Sequence, residues 1–328
     1  MRATLFHLKS KYMEIDIEKI IANMPKDVIL NIMRNNVEKN CETMFKLSYN
    51  WRKQHKATNE KIDFAYYMFQ QHLANMRAIL ELSNGIEIYS NHPETKVIEP
   101  TTIISIVRSV YERMFIFHCI YVLPETEIEQ DILFYLWIIK GLKNRQVGYV
   151  PQEFQEKKER ERDEINKIID KIKDYSNRLN IIQEAKDKII GYAKNKSLTP
   201  KGYKYIKNAN HVIIDFEEIS LSKASEELMG TKFPPIYNYF SMHSHPSYLG
   251  TLQFSQLFDK EVNKDFMQTL IVSIALFQGK IISDFVNSVE GVKEIFETLP
   301  KEEQENCRMN NQIFQSLKES NEVEQEDS

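Results

Sequence analysis

The chain has 328 residues, of which 42% are hydrophobic and 27% charged, a balance typical of a soluble globular protein with one large domain or two ordinary ones. Only 9 glycines and 10 prolines occur, which argues against a sheet-rich fold, because such folds need many tight turns. The formal net charge of −4 provides no overall positive field for nucleic acid, although a local basic groove is compatible with it.

The cysteines and the N-terminal sequence give an expectation for the cellular compartment. Cys41, Cys119 and Cys307 are far apart and include no C-x-x-C pair. We therefore expect neither a disulfide scaffold nor a zinc ribbon, and a reducing cytoplasm fits this pattern. The N-terminal stretch MRATLFHLKSKYMEID has no continuous apolar run of signal-peptide length, so no such leader is expected.

Helical periodicity begins near the N-terminus and continues through most of the chain. In KDVILNIMRNNVEKNCETMFKLSYNWRKQ, apolar residues such as Val28, Ile32 and Met33 recur at helical spacing. The segment NEKIDFAYYMFQQHLANMRAILELS has the same character and stops at the Asn84–Gly85 pair. Both segments therefore predict long amphipathic helices.

The most apolar run, TTIISIVRSVYERMFIFHCIYVL, is bounded by a proline on each side. It contains Arg108, Glu112 and Arg113, and a charge at the centre of a bilayer costs roughly 2.5–3.5 kcal/mol on insertion scales. Apolar residues occupy nearly the whole circumference of the helix that this run would form. We therefore predict a central buried helix from about 101 to 122 and no membrane partner.

Residues 151–196 are highly charged. Apolar residues within them approximate a heptad seam, made of Ile165, Ile168, Ile172, Tyr175, Leu179 and Ile182. The favoured interpretation is an extended helix or a helical hairpin with a solvated outer face. The alternative is a coiled coil that binds a protein partner or a second copy of the chain through 152–196.

Later segments complete the predicted organisation. HVIIDF resembles a strand, but it has no obvious partner, so we expect a short extended or helical piece. The fold class predicted is an all-α bundle of long helices with a charged, coiled-coil-like helical insertion. Its segments are N-terminal helices at 1–60, a helical core domain from 61–150 and 197–315, the insertion at 151–196, and a disordered acidic tail at 316–328.

The segment PPIYNYFSMHSHPSYLG concentrates aromatic, hydroxyl and imidazole groups. Tyr237, Ser241 and His245 are spaced i, i+4, i+8 and would share one stripe of a helix. Pro246 would end that helix just after His245, where the helix dipole favours the imidazolium and raises its pKa. His243 and His245 would point apart on a helix, so no metal site is expected.

Arg108 and Glu112 stand four residues apart in the apolar helix and can pair along one face. One interpretation is a buried ion pair that sets the helix register. The other places the guanidinium in a cleft, where it would hold a phosphate or carboxylate while Glu112 orients it or acts as a base. Both interpretations remain open from the sequence.

Arg113 and His118 have the R-x4-H spacing of helical ribonucleases of the higher-eukaryote-and-prokaryote nucleotide-binding superfamily. In such a pair, arginine would hold the scissile phosphate and histidine would handle the 2′-OH proton. Met114 departs from the polar residue usual after the arginine. The pair is therefore a reserve candidate. No Walker A, Rossmann, H-E-x-x-H or G-x-S-x-G pattern occurs, and no cofactor is expected.

Two motifs together resemble a family of uncharacterised bacterial all-helical proteins. Its R-S-x-x-E helix corresponds to Arg108, Ser109 and Glu112, and its Y-x-x-x-S-x-x-x-H-P-S segment begins at Tyr237 and includes Ser241, His245, Pro246 and Ser247. Phe240 replaces the usual aliphatic residue. The resemblance covers about 60–290 and implies a distant similarity to helical toxin and phage-defence domains.

These observations lead to two functional hypotheses. The first is a metal-independent ribonuclease or phosphodiesterase. In this hypothesis Arg108 binds phosphate, Glu112 orients the guanidinium and His245 is the acid or base. Tyr237, Ser241 and His243 contribute to binding. The second is a non-enzymatic effector module of a bacterial defence system in which the cluster is structural. The first hypothesis implies RNA or another phosphate-bearing ligand, and the second implies a protein partner.

Overall fold

The computed structural model describes residues 26–56, 59–87, 96–147, 151–195, 201–229, 236–244, 248, 251–252, 255 and 260–312. Helices dominate these residues, and the prediction of an all-α fold is confirmed. The expected acidic tail at 316–328 lies outside them. The chain divides into a first unit, Met1–Met114 with Ser225–Ser328, and a second unit, Phe115–Ala224.

The elements follow one another in this order. They are α1 (Lys26–Gln54), α2 (Glu60–Leu82), β1 (Ile86–Glu87), β2 (Lys96–Val97), α3 (Pro100–Phe117), a π-helical turn (His118–Val122), α4 (Glu127–Gln146), a 3₁₀ turn (Gln152–Phe154), α5 (Gln155–Asn177), α6 (Gln183–Lys194), β3 (Gly202–Lys207), β4 (Ile213–Ile219), α7 (Ala224–Met229), α8 (Ile236–Ser244), α9 (Lys260–Ser288), α10 (Val292–Glu297) and helical residues 301–312.

Local sequence explains where several helices begin. At α2, the Asn59 side chain accepts a hydrogen bond from the Ile62 amide at 2.9 Å, while Asn59 itself is extended. At α4, the Thr126 hydroxyl accepts one from the Glu129 amide at 3.3 Å. Each cap satisfies an amide that has no acceptor within its own helix. After α2, Gly85 has φ 83°, a left-handed conformation that glycine adopts without strain.

The core of the first unit is built by α9 packed against α1 and α2, with α10 beside α1. Phe69 of α2 and Phe285 of α9 stack with ring centroids 3.9 Å apart, and both are almost fully buried. Trp51 donates from its indole nitrogen to the Glu290 carbonyl at 2.9 Å. Aromatic burial and satisfied polar tips together anchor this core.

Four asparagines join α1 to the helical residues 301–312. The amides of Asn36, Asn306 and Asn40 form a closed ring of hydrogen bonds, with donor–acceptor distances of 2.9, 2.7 and 3.1 Å. Asn310 also donates to the Asn36 carbonyl at 2.9 Å. Because buried amides must be paired, this ring restricts how the two helices can be placed in register.

One stretch of α9, Phe266–Ser288, is long and apolar enough to cross a membrane, with a mean hydropathy of 1.5. About 78% of its most apolar window is buried inside the structure. Core helices of soluble proteins share this length and composition. It is the one such stretch among the described residues.

The second unit contains an antiparallel hairpin that the sequence does not predict. β3 pairs with β4 in a register that sets Tyr205 opposite Phe216 and Gly202 opposite Ile219. The expectation that HVIIDF has no partner strand is therefore wrong. Its partner strand, GYKYIK, lies in a segment with a polar sequence. The buried rings of Tyr203 and Phe216 stack with their centroids 5.6 Å apart and form the apolar side of the strand pair.

The charged stretch folds as a helical hairpin, α5 and α6, within the second unit. Its seam residues Ile165, Ile168 and Ile172 are buried, and α5 packs against both α4 and α6. The helix ends at Asn177, so the seam does not continue helically to Ile182. The second unit is larger than the insertion expected at 151–196, because it also contains α4 and the strand pair β3–β4.

Gly202 offers a test of packing in this unit. A methyl group there would lie 2.5 Å from Cys119 Sγ and 2.5 Å from Phe115 Cζ, whereas one at Gly191 would meet nothing within 4 Å. We expect Gly202→Ala to lower the free energy of unfolding by about 1–3 kcal/mol through overpacking. Gly191→Ala, in the middle of α6, should raise it by about 0.5–1 kcal/mol. Urea denaturation followed by circular dichroism measures both; equal effects would contradict the packing argument.

Candidate functional site

The helix α3 begins with its own carboxylate cap. Glu99 accepts hydrogen bonds from the amides of Thr101 and Thr102, at 2.9 and 2.7 Å, and one from the Thr101 hydroxyl. Burial acts to raise the pKa of Glu99, but these hydrogen bonds outweigh it, and the pKa lies below its ordinary value. The positive end of the helix is thus already occupied by a side chain of this protein.

Arg108 and Glu112 form an ion pair one turn apart on α3. Arg108 Nε donates to Glu112 Oε1 at 2.7 Å, and the two side chains are 22% and 28% exposed. The pair is therefore neither fully buried nor freely solvated. A half-buried pair with this geometry holds the guanidinium in one orientation.

Tyr237 of α8 completes this cluster from 129 residues further along the chain. Arg108 Nη2 donates to the Tyr237 hydroxyl oxygen at 2.8 Å, and the guanidinium carbon lies 5.1 Å from the centroid of the tyrosine ring. The cluster of Arg108, Glu112 and Tyr237 thus unites the two sequence motifs. Its floor is apolar: the ring of Tyr111, fully buried, lies 6.3 Å from that of Tyr237 and 6.2 Å from that of Phe240.

The electrostatics follow from this geometry. Burial lowers the pKa of Arg108, but the hydrogen bond and charge of Glu112 raise it more, so the guanidinium is firmly protonated. Burial, followed by the charge of Glu112, raises the pKa of Tyr237, which keeps its hydroxyl neutral. Neither group can exchange protons near neutral pH, so acid–base chemistry must come from another residue.

The predicted acid–base residue lies outside the described part of the chain. His245 follows directly after α8, whose last residue is Ser244. His243 and Ser241 are both within α8, and Ser241 is half-buried. The described residues therefore bring together Arg108, Glu112 and Tyr237, and the roles of His245, His243 and Ser241 stay predictions.

An open cavity of about 360 Å³ is lined largely by α3, the helix that carries Arg108 and Glu112. Its lining residues are Asn75, Thr101, Thr102, Ser105, Ile106, Ser109 and Ser244. Most of these come from one face of α3, with contributions from α2 and α8. Six of these seven side chains carry a hydroxyl or an amide group, so the cavity offers hydrogen-bonding groups to a ligand.

Arg113 and His118, the reserve pair, fall in different units. Within the first unit, Arg113 Nη2 donates to Ser109 Oγ at 3.3 Å. Burial, and then the charge of Arg113, lowers the pKa of His72 on α2. His118 is buried in the π-helical turn of the second unit. The R-x4-H pairing stays a prediction.

Sequence reasoning did not identify Asn75, the serine and threonine stripe of α3 or Ser244 as parts of one region. The stripe has a signal, since Thr101, Ser105, Ser109 and Arg113 are spaced by four residues. Asn75 has none, because its position depends on how α2 packs.

Tyr237→Phe tests the cluster itself. It removes the oxygen that accepts from Arg108 but keeps the ring. We expect the free energy of unfolding to fall by about 1.5–3 kcal/mol, the usual net contribution of a hydrogen bond to a charged group. Tyr49→Phe is the matched control, because Tyr49 is 56% exposed. Urea denaturation compares them; an equally stable Tyr237→Phe variant would contradict the bond's contribution.

Among the described residues no group of three or more histidine, cysteine, aspartate or glutamate side chains could hold a metal ion. Comparisons with family models, with curated proteins and with solved structures find no match to the chain.

Proposed function

We propose that the protein binds RNA or a closely related phosphate-bearing ligand at the polar face of α3 and cleaves it without a metal. The observation that carries this proposal is that α3 carries the ion pair of Arg108 and Glu112, which Tyr237 of α8 joins, and also supplies most of the residues that line the cavity. A guanidinium held in one orientation is a group that recognises phosphate.

In this proposal, Arg108 contacts a nonbridging oxygen of the scissile phosphate, and Glu112 orients the guanidinium through its Nε. His245 takes the proton of the ribose 2′-OH as the 2′-oxygen bonds to phosphorus, and the bond from phosphorus to the 5′-oxygen breaks. The same imidazolium returns the proton to the leaving oxygen, which yields a cyclic phosphate and a 5′-hydroxyl. Ser244, in the cavity wall, precedes His245 directly.

The expected setting is the cytoplasm of a bacterium, in a toxin or phage-defence system. This follows from the family resemblance of the two motifs. Their order along the chain, together with the hydrogen bond between Arg108 and Tyr237, supports treating the motifs as one site.

The experiment compares His245→Ala, Arg108→Gln and wild type for cleavage of a fluorescent single-stranded RNA in the presence of EDTA. We expect either substitution to reduce the rate by about 10²-fold or more, the range for losing one acid–base or electrostatic group. Arg77→Gln is the control, because Arg77 forms an exposed pair with Glu38. Melting temperatures verify folding. Wild type without cleavage, or a His245→Ala variant with undiminished cleavage, would refute the enzymatic proposal.

A second candidate function is a non-enzymatic binding or effector module. It is favoured by a specific observation: Arg108 is engaged through Nε by Glu112 and through Nη2 by Tyr237, as in a structural network. In that case Arg108→Gln lowers the melting temperature and the wild type cleaves no RNA. The partner contact would then involve the solvated outer face of α5, since the apolar seam is buried within the second unit.

Self-association through that face has its own test. Arg160 is exposed on α5. If copies of the chain associate there, Arg160→Glu should weaken a concentration-dependent dimer seen by sedimentation velocity. A wild type that sediments as a monomer at all concentrations would contradict self-association.

A further inference from the structure

The cavity and the Arg108 cluster lie at two positions along the same pair of helices, which run in opposite directions. On α3, Thr101 lines the cavity, and Arg108 follows seven residues later. On α8, Tyr237 joins the cluster, and Ser244, seven residues later, lines the cavity. Residues seven apart on a helix share nearly one face and are separated by about 10 Å along its axis. Both helices therefore place the cavity about 10 Å from the cluster.

The hydroxyls of the cavity wall act mainly as hydrogen-bond acceptors. Ser105 Oγ donates to the Thr101 carbonyl at 2.7 Å, and Ser244 Oγ donates to the Phe240 carbonyl at 2.5 Å. Thr101 Oγ1 donates to the carboxylate of Glu99, whose lowered pKa keeps it ionised at neutral pH. Because carbonyls and carboxylates can only accept, these three hydroxyls have already used their protons. They offer only lone pairs to a ligand.

The rest of the wall adds donors but no charge. Ser109 Oγ accepts from Arg113 Nη2 at 3.3 Å and retains its own proton for donation. The amide of Asn75 carries one acceptor oxygen and a donor NH₂ group. None of the seven lining residues is charged. An ionised phosphate presents acceptor oxygens only, so it is matched by the guanidinium of Arg108 and not by the cavity.

We propose that the cavity is a specificity pocket for a nucleobase with an exocyclic amino group, adenine or cytosine, in the nucleotide whose phosphate Arg108 binds. One amino N–H donates to the Asn75 carbonyl oxygen, while a neighbouring ring nitrogen accepts from its NH₂ group, as amides pair with adenine. The other amino N–H donates to the oxygen of Ser105 or Ser244. This inference rests on the proposed function, because it takes Arg108 as the phosphate site.

The separation of cavity and cluster favours the base over the ribose. Ribose hydroxyls can also donate hydrogen bonds, but ribose is attached directly to the phosphate, whereas the base is the far end of a nucleotide. A cavity about 10 Å along the helices from the cluster is therefore matched to the base. Uracil and hypoxanthine carry a carbonyl oxygen in place of the amino group, and that oxygen would face the lone pairs of the hydroxyls.

The test is isothermal titration calorimetry of the full chain with the nucleoside 5′-monophosphates AMP, IMP, CMP and UMP. IMP differs from AMP in a carbonyl that replaces the amino group and an N–H that replaces a ring acceptor, and UMP differs from CMP in the same way. We expect AMP and CMP to bind about tenfold more tightly than IMP and UMP, or better. A site built for a donor leaves its acceptors unpaired when the analogue binds.

Two variants locate the preference in the cavity. Ser105→Ala and Asn75→Ala each remove an acceptor, and each should reduce the ratio of AMP to IMP affinity by about threefold or more. Ser273→Ala is the matched control, because Ser273 of α9 also donates to the carbonyl four residues earlier, at 2.9 Å, and is not a cavity residue. It should keep the wild-type ratio. Melting temperatures verify folding, and if one variant does not fold, the other decides.

A wild type that binds AMP and IMP equally, or binds neither, overturns the inference. It is also overturned if Ser105→Ala and Asn75→Ala both keep the wild-type ratio. Equal binding that is lost in Arg108→Gln would leave the phosphate site of the proposed function standing without a base pocket. Conversely, a preference for AMP in a wild type that cleaves no RNA would support the pocket and refute only the cleavage.

Discussion

Asp284→Ala should lower the free energy of unfolding of the first unit by about 3–5 kcal/mol, the cost of removing one partner of a buried ion pair. Asp284 accepts hydrogen bonds from Lys280 Nζ through both carboxylate oxygens, one turn away on α9, and the two side chains are 8% and 5% exposed. Without that carboxylate, the ammonium group loses this ion-pair partner in an environment that excludes water.

Two comparisons isolate this effect. Glu302→Ala breaks the exposed pair with Lys39 in the same unit, whose side chains are 82% and 62% exposed, and should change stability by about 0–1 kcal/mol. The double variant Lys280→Met/Asp284→Leu should be much closer to wild type than Asp284→Ala, since it removes both charges of the pair and keeps apolar volume. A double variant as unstable as the single one would show that the pair matters through other contacts.

Phe285→Ala should also lower the free energy of unfolding by about 3–5 kcal/mol, because it removes a fully buried ring and leaves a cavity. The ring lies almost parallel to that of Phe69, with an interplanar angle of 9°, and joins α9 to α2. Phe45→Ala is the matched control: Phe45 is 57% exposed, so its truncation should cost about 0.5 kcal/mol or less.

Fluorescence can report on the first unit alone in these experiments. The chain has two tryptophans: Trp51 is in the first unit, and Trp137 is in the second. In a Trp137→Phe background, urea denaturation followed by Trp51 emission reads out Asp284→Ala and Phe285→Ala directly. Trp51 is 1% exposed, so its emission should shift strongly on unfolding. A midpoint for Phe285→Ala equal to that of Phe45→Ala would contradict the packing argument.

These stability tests also bear on the candidate site. The helix α2 carries both Phe69, which packs on α9, and Asn75, which lines the cavity together with residues of α3. A loss of Phe285 packing could therefore disturb the site indirectly. Comparing activity at equal fractions of folded protein separates the two effects.

Local sequence was sufficient to predict the helices α1, α2 and α3 and the ion pair that belongs to the candidate site. Periodicity predicts α1, α2 and α3 because each buries an apolar stripe, and stripes repeat at 3.6 residues wherever the chain is helical. The pairing of Arg108 with Glu112 could likewise be anticipated, since residues four apart on a helix are neighbours whatever the rest of the chain does.

Only the tertiary structure decided which distant groups meet. Tyr237 joins Arg108 across 129 residues, and β3 pairs with β4 although the sequence of β3 has a weak strand signal. A spacing along one helix cannot anticipate such partners, because they depend on how whole helices pack. Packing is a sum of many small apolar contacts spread over the unit, and no short motif encodes that sum.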